Sequence, residues 1–158
     1  VSGSELFIYT VENIDTIQNI KALIEDSNGY EKDTQILTYA GKVLEDNFSL
    51  NDYGILNEAT LHLSFIPVFT SPATFSAAEN QTAIGTVTAT DADGDSVTFT
   101  VSGSELEITS AGVLTFASAP DYETKSSYTA TVTASNGTNT STQDITVNVT
   151  DVNEAPAF

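Results

Sequence analysis

The sequence predicts an α+β domain over residues 1–66, followed by an all-β domain over residues 67–158. In one early stretch, apolar residues recur at spacings of three and four, which is the pattern of an amphipathic helix. In the second half, apolar residues alternate with threonine and other polar residues, which is the pattern of strands with one buried face. The composition changes at residues 66–69, where Pro67 and Phe69 lie, so we place the domain boundary there.

In the first domain, the spacing of Ile17, Ile20 and Ile24 predicts a helix over residues 16–27. Asp15 or Thr16 is suited to cap its start by accepting a hydrogen bond from a free backbone N–H. Residues 28–29, an Asn-Gly pair, are suited to end it, because glycine readily takes the left-handed conformation found after helices. Strands are predicted over residues 6–11, 35–39, 42–44 and 60–65.

The second domain consists of short strands predicted over residues 84–90, 96–101, 106–109, 112–116, 128–134 and 144–150. Glycine-containing turns separate them. Regular short strands of this kind predict a Greek-key β-sandwich.

Each domain has its own predicted core of apolar residues. The first comprises Phe7, Tyr9, Val11, Ile17, Ile20, Ile24, Leu37, Leu44, Leu50, Tyr53, Ile55, Leu61 and Leu63. The second comprises Phe75, Val87, Val97, Phe99, Val101, Ile108, Leu114, Phe116, Tyr128, Val132, Ile145, Val147 and Val149.

The chain is strongly acidic, with 22 aspartates and glutamates against 4 lysines and a formal net charge of −18. Without a basic patch, we expect no binding to nucleic acid or to anionic membranes. Bound divalent cations would relieve the repulsion among the acids, and the alternative interpretation is simply a soluble acidic surface. The sequence has no cysteine, and no apolar run approaches the roughly 18 residues of a membrane span.

Three acidic motifs stand out in the second domain. Residues 151–158 read DVNEAPAF, residues 121–123 read DYE, and residues 91–95 read DADGD. Hard cations such as Ca²⁺ bind several oxygen ligands at once and tolerate irregular geometry. A polar turn without a metal is the alternative interpretation of residues 91–95, and their spacing does not fit an EF-hand.

The first domain resembles ubiquitin in the stretches DTIQNIKALIED (15–26), AGKVLED (40–46), LNDYGI (50–55) and EATLHL (58–63). The resemblance implies a ubiquitin-like β-grasp fold whose first, central strand is missing from the chain. We expect the missing strand to come from outside the 158 residues or from another copy of the chain. The Gly-Gly end that ubiquitin uses for conjugation is absent, because residues 64–67 continue directly into the second domain.

The second domain resembles a cadherin repeat in residues 78–80 (AEN), 90–93 (TDAD), 121–123, 134–137 (ASNG) and the closing linker. In that family, Ca²⁺ lies between consecutive repeats. The resemblance therefore implies metal ligands at one junction from Glu79, Asp121, Glu123, Asp151, Asn153 and Glu154, and at the other from Asp91 and Asp93. Asn136 stands where the family often has aspartate.

No catalytic arrangement is indicated, since the single histidine, His62, lies in a predicted strand between two leucines. We therefore expect a non-enzymatic, calcium-dependent segment of a large extracellular or cell-surface adhesin, with neighbouring repeats of the same polypeptide as its partners. One alternative is that the β-grasp domain binds a protein or a glycan and the sandwich only displays it. Another is an engineered ubiquitin-like fusion.

Overall fold

A computed structural model describes residues 6–154 of the chain. They form two compact units: the first comprises the described residues up to Ile66 together with Ala92–Gly94, and the second comprises Pro67–Asp91 and the described residues from Asp95 onward. No helix among the described residues is long and apolar enough to cross a membrane.

The first unit contains helix α1 (Ile17–Asn28), a 3₁₀ turn (Lys32–Thr34) and strands β1 (Gln35–Tyr39), β2 (Lys42–Val43) and β3 (His62–Phe65). The strands form one antiparallel sheet in the order β2-β1-β3. The Thr16 hydroxyl caps α1 by accepting a hydrogen bond from the Asn19 N–H. Gly29 ends the helix in the left-handed conformation, with φ of 77°. The helix and its caps therefore follow the prediction.

The strand predicted over residues 6–11 is absent. Burial still alternates along it, because Leu6 and Ile8 are 74% and 89% exposed while Phe7 and Tyr9 are half-buried. No described strand pairs with this segment, so no neighbouring strand is there to pair with its backbone N–H and C=O groups. The alternation was therefore interpreted correctly as a buried face and wrongly as a paired strand.

The core of the first unit lies between α1 and the sheet. Ile17, Ile20, Ile24, Leu37, Leu44, Leu50 and Ile55 are buried, as predicted. Tyr9, Val11, Tyr53, Leu61 and Leu63 pack against them only partly buried, together with Tyr30 and Tyr39. Phe7 lies at the margin, where its ring contacts Tyr9 and Tyr30. Phe65, which was not predicted, is 4% exposed and packs on Tyr30.

The second unit is a β-sandwich. Its strands are β4 (Val68–Phe69), β5 (Thr74–Ala78), β6 (Ala83–Thr86), β7 (Ala89–Thr90), β8 (Thr98–Val101), β9 (Leu106–Ile108), β10 (Val113–Phe116), β11 (Ser127–Ser135) and β12 (Thr140–Thr150). One sheet has the order β5-β12-β11-β8, the other β6-β10-β9, and β4 pairs with β7. The β5–β12 pair is parallel, whereas the other pairs are antiparallel.

The strand predicted over residues 84–90 is in fact two strands. β6 pairs with β10, whereas β7 pairs with β4. Between them, the Val87 N–H bonds to the Gly112 carbonyl and the Thr88 carbonyl accepts from the N–H of Thr70. This change of partner divides the strand, and it is a tertiary event that alternation cannot reveal.

The sandwich core holds eight predicted residues that are buried: Val87, Phe99, Leu114, Phe116, Val132, Ile145, Val147 and Val149. The other five predicted residues, Phe75, Val97, Val101, Ile108 and Tyr128, pack against this core partly buried. Ala77, Leu106 and Ala134 are buried without having been predicted.

Candidate metal centre

Strand register brings Glu79 and Asp151 together at one end of the sandwich. In the parallel pair of β5 and β12, Ala78 lies opposite Thr150. Glu79 and Asp151 directly follow these two strands, so both residues leave the sheet at the same end. The loop between β10 and β11 reaches the same end of the sandwich and carries Glu123.

These three residues form an acidic cluster. One carboxylate oxygen from each of Glu79, Glu123 and Asp151 lies within 4.8 Å of the other two. Glu79 is 2% exposed, whereas Glu123 and Asp151 face solvent. Three carboxylate oxygens at this separation suit a hard cation such as Ca²⁺.

The buried Glu79 carboxylate is held by backbone groups. One oxygen accepts from the Tyr122 N–H and the other from the Val152 N–H, both at 2.8 Å. The Glu79 N–H donates to the Thr150 carbonyl at 3.1 Å. A buried carboxylate needs such partners, because an unpaired charge is costly away from water.

The electrostatics of Glu123 reflect the crowding of charge. Its own backbone N–H lowers the pKa of its carboxyl, but desolvation and repulsion by Glu79 and Asp151, with a contribution from Asp121, outweigh that effect and raise the pKa overall. Negative charge in the cluster is therefore not fully compensated by the protein's own groups, which is the condition that a bound cation relieves.

The other residues predicted for this junction lie in different arrangements. The Asp121 carboxylate caps its own turn by accepting from the Glu123 N–H, the Thr124 N–H and the Thr124 hydroxyl. The hydrogen bond from the Thr124 hydroxyl is the main reason that the pKa of Asp121 is lowered. The Glu154 carboxylate accepts a hydrogen bond from the Asn80 side chain, and Asn153 is exposed. Neither Asp121 nor Glu154 belongs to the acidic cluster of Glu79, Glu123 and Asp151.

A second acidic cluster lies in the turn after β7. Carboxylate oxygens of Asp91, Asp93 and Asp95 lie within 4.8 Å of one another. The Asn136 side chain donates to Asp91 at 2.8 Å, and its oxygen accepts from the N–H groups of Thr138 and Asn139. Asp95 was not among the predicted ligands, although the Asp-x-Asp-x-Asp spacing was the available signal.

Comparisons with known proteins agree with the two folds. The family model described as "Ubiquitin family" matches residues 1–67, and the one described as "Bacterial Ig domain" matches residues 65–150. Among solved structures, "Crystal Structure of Human Protocadherin-24 EC1-2" is similar at 25% identity with a TM-score of 0.50, over 54% of this chain and 43% of that one. The chain is therefore a ubiquitin-like β-grasp unit followed by a cadherin- and Ig-like sandwich.

Curated relatives match a shorter part of the chain. Two proteins named "2'-5'-oligoadenylate synthase-like protein 1", from Rattus norvegicus and Mus musculus, are each 38% identical over 56 residues. The match covers 35% of this chain and 11% of each of those proteins, so it spans about a tenth of their length.

The domain types carry general functional information. Cadherin-like and Ig-like domains suggest a structural or adhesive role and are typical of extracellular proteins. Ubiquitin-like and Ig- or cadherin-like domains are typically non-enzymatic.

Proposed function

We propose that this chain, which belongs to the bacterial Ig domain family, is a non-enzymatic, calcium-dependent structural segment of a large cell-surface adhesin. The sandwich is the spacer, and the ubiquitin-like unit is a module that it carries. Neighbouring repeats of the same polypeptide are its partners.

The observation that carries this proposal is the convergence of Glu79, Glu123 and Asp151 at the point where the chain leaves β12. A cation there contacts the end of the sheet, the β10–β11 loop and the departing linker at once. It therefore converts repulsion among three acids into a link among three segments.

Three carboxylates are too few to complete a calcium site, since Ca²⁺ takes about 6–8 oxygen ligands. Asp121, Asn153 and Glu154 lie in the same loop and linker and supply further oxygens after local rearrangement. The remaining ligands come from a following repeat and from water. Binding to a single chain is therefore weaker than binding at a complete junction.

The cluster of Asp91, Asp93 and Asp95 is a second cation site in the same proposal. Its acids come from one short turn, and Asn136 adds an amide in place of another carboxylate. We expect this site to bind Ca²⁺ more weakly than the cluster around Glu79, because fewer separate segments gain from being joined.

A second candidate function, in which the first unit binds a glycan, is favoured by a shallow cavity of 380 Å³ beside β2. Tyr39, Tyr53, Lys42 and Asp52 line it, and the Lys42 ammonium lies 4.8 Å from the Tyr53 ring centroid. Tyrosine rings provide stacking surfaces with a polar end. Loss of binding to an immobilised glycan in Tyr39→Ala would support this function, and an absence of glycan binding by the unaltered chain would exclude it.

Calcium titration calorimetry on the full chain tests the leading proposal. We expect saturable binding that Asp151→Asn weakens by about tenfold or more, which corresponds to about 1.4 kcal/mol. Asp144→Asn removes an equal charge from the middle of β12 and is the matched control that leaves binding unchanged. Equal affinities in the two variants would show that the cluster is not the site.

A further inference from the structure

The linker is already attached to the sandwich by protein groups alone. The buried Glu79 carboxylate accepts from the Val152 N–H in the linker and from the Tyr122 N–H in the β10–β11 loop, each at 2.8 Å. Through these two hydrogen bonds, the Glu79 side chain contacts Val152, which is 73 residues away in sequence, and Tyr122, which is 43 residues away. The two acids that complete the cluster are neighbours of the bonded residues, since Asp151 precedes Val152 and Glu123 follows Tyr122.

We propose that Glu79 is a positioning residue that works as a latch without metal: its carboxylate holds the linker and the loop, so Asp151 and Glu123 face each other before any cation arrives. The consequence for calcium rests on the proposed function, whereas the latch itself exists in metal-free protein.

The charge of Glu79 is compensated by amide groups rather than by a cationic side chain. The ion pairs among the described residues join Lys21 to Asp46 and Lys125 to Glu105, so neither involves Glu79. Hydrogen bonds from N–H groups to a carboxylate are roughly twice as strong as those between neutral partners. The Glu79 carboxylate, at 2% exposure, is therefore stabilised by the two backbone amides, and the loss of either hydrogen bond leaves a buried oxygen without that donor.

A latch of this kind changes what calcium has to do. The segments that carry Asp151 and Glu123 are already ordered, so cation binding does not have to pay for docking the linker. Calcium then adds rigidity to an existing joint, and its removal loosens the joint without releasing the linker.

Amide hydrogen exchange, followed by NMR on the full chain in excess chelator, tests the latch. We expect the N–H groups of Tyr122 and Val152 to be protected in the unaltered protein. In Glu79→Gln, one acceptor oxygen is replaced by an NH₂ group, so at least one of the two amides should exchange about tenfold faster or more. Glu123→Gln removes the same charge from the same cluster and bonds neither amide, so it should not accelerate exchange at either amide.

The core amides of Val132 and Val147 report whether each variant remains folded. If Glu79→Gln fails to fold, exchange in the unaltered protein still tests the proposal. A Val152 amide that is unprotected from exchange in chelator would contradict the latch. Unchanged exchange at both amides in a folded Glu79→Gln also contradicts it. If the latch holds but added CaCl₂ alters neither exchange nor stability, the calcium function fails and the latch stands.

Discussion

Ala78 lies opposite Thr150 in the only parallel strand pair among the described residues, the pair of β5 and β12. Because the two strands run in the same direction, the residues that follow them, Glu79 and Asp151, lie at the same end of the sheet. An antiparallel partner would have carried one of these acids to the opposite end of the sandwich. The parallel pairing is thus the structural reason that an early glutamate and the closing linker meet.

In metal-free protein at neutral pH, Glu123→Gln should increase stability. The substitution removes one of three repelling carboxylates while keeping the shape of the side chain. We expect a higher denaturation midpoint than that of the unaltered chain in chelator, and a smaller gain on adding calcium. A lower midpoint in chelator would show that repulsion in the cluster does not govern stability.

The advantage of Glu123→Gln should depend on pH in a defined direction. The pKa of Glu123 is raised in the folded protein, so the folded state binds this proton more tightly than the unfolded state. The stability that this group contributes is full below its unfolded pKa and is lost as pH rises through the folded pKa. The variant and the unaltered chain should therefore converge below about pH 4, near the pKa of an unperturbed glutamate, and diverge towards neutrality. Chemical denaturation in chelator at a series of pH values measures this, and a difference that grows as pH falls would contradict the assignment.

Gly112→Ala should destabilise the sandwich by about 2–4 kcal/mol. Gly112 has φ of +89°, and an added Cβ would lie 2.2 Å from the Val87 carbonyl oxygen. Relieving that contact disturbs the hydrogen bond from the Val87 N–H to the Gly112 carbonyl, which lies between the end of β6 and the start of β7. Gly103→Ala is the matched control, because Gly103 also has positive φ but has no atom within 4 Å of the added Cβ. Urea denaturation should show that Gly103→Ala lowers the free energy of unfolding by about 1 kcal/mol. Equal losses in the two variants would show that positive φ alone, and not the contact with Val87, sets the cost.

Leu114→Ala should cost about 2–5 kcal/mol, since Leu114 is fully buried between the two sheets. Its neighbour Val113 points the other way on β10 and is 46% exposed, so Val113→Ala should change stability by less than about 0.5–1 kcal/mol. The same urea experiment measures both. A comparable loss from both substitutions would mean that the alternation along β10 has been assigned to the wrong face.

Local periodicity predicted the elements that are held by their own apolar face. The spacing of Ile17, Ile20 and Ile24 located α1 to within a residue at each end, and β1 was predicted with its bounds. The segment at residues 6–11 also alternates but lacks a described partner strand. The pattern therefore predicted which side chains face the core, but it could not predict whether the backbone pairs with another strand. β5 was not predicted, because small residues such as Ser76 and Ala77 give it weak alternation.

For the candidate site, the sequence indicated the acids but not their arrangement. Glu79, Glu123 and Asp151 were predicted together through family resemblance, and the β5–β12 register explains why Glu79 and Asp151 converge. The turn-capping role of Asp121 and the two amides held by Glu79 depend on backbone geometry, which residue identities do not reveal. Whether the eight predicted ligands bind calcium stays a prediction.

Thermal unfolding of the full chain in calcium and in chelator tests the central claim most directly. A ligand that binds only the folded state stabilises it by about 1.4 kcal/mol when present at ten times its Kd. For a domain of this size, that predicts a rise in the sandwich midpoint of about 6–11 °C. Asp151→Asn should reduce the rise, and Asp144→Asn should preserve it. An identical midpoint in millimolar calcium and in chelator would contradict calcium binding by this segment.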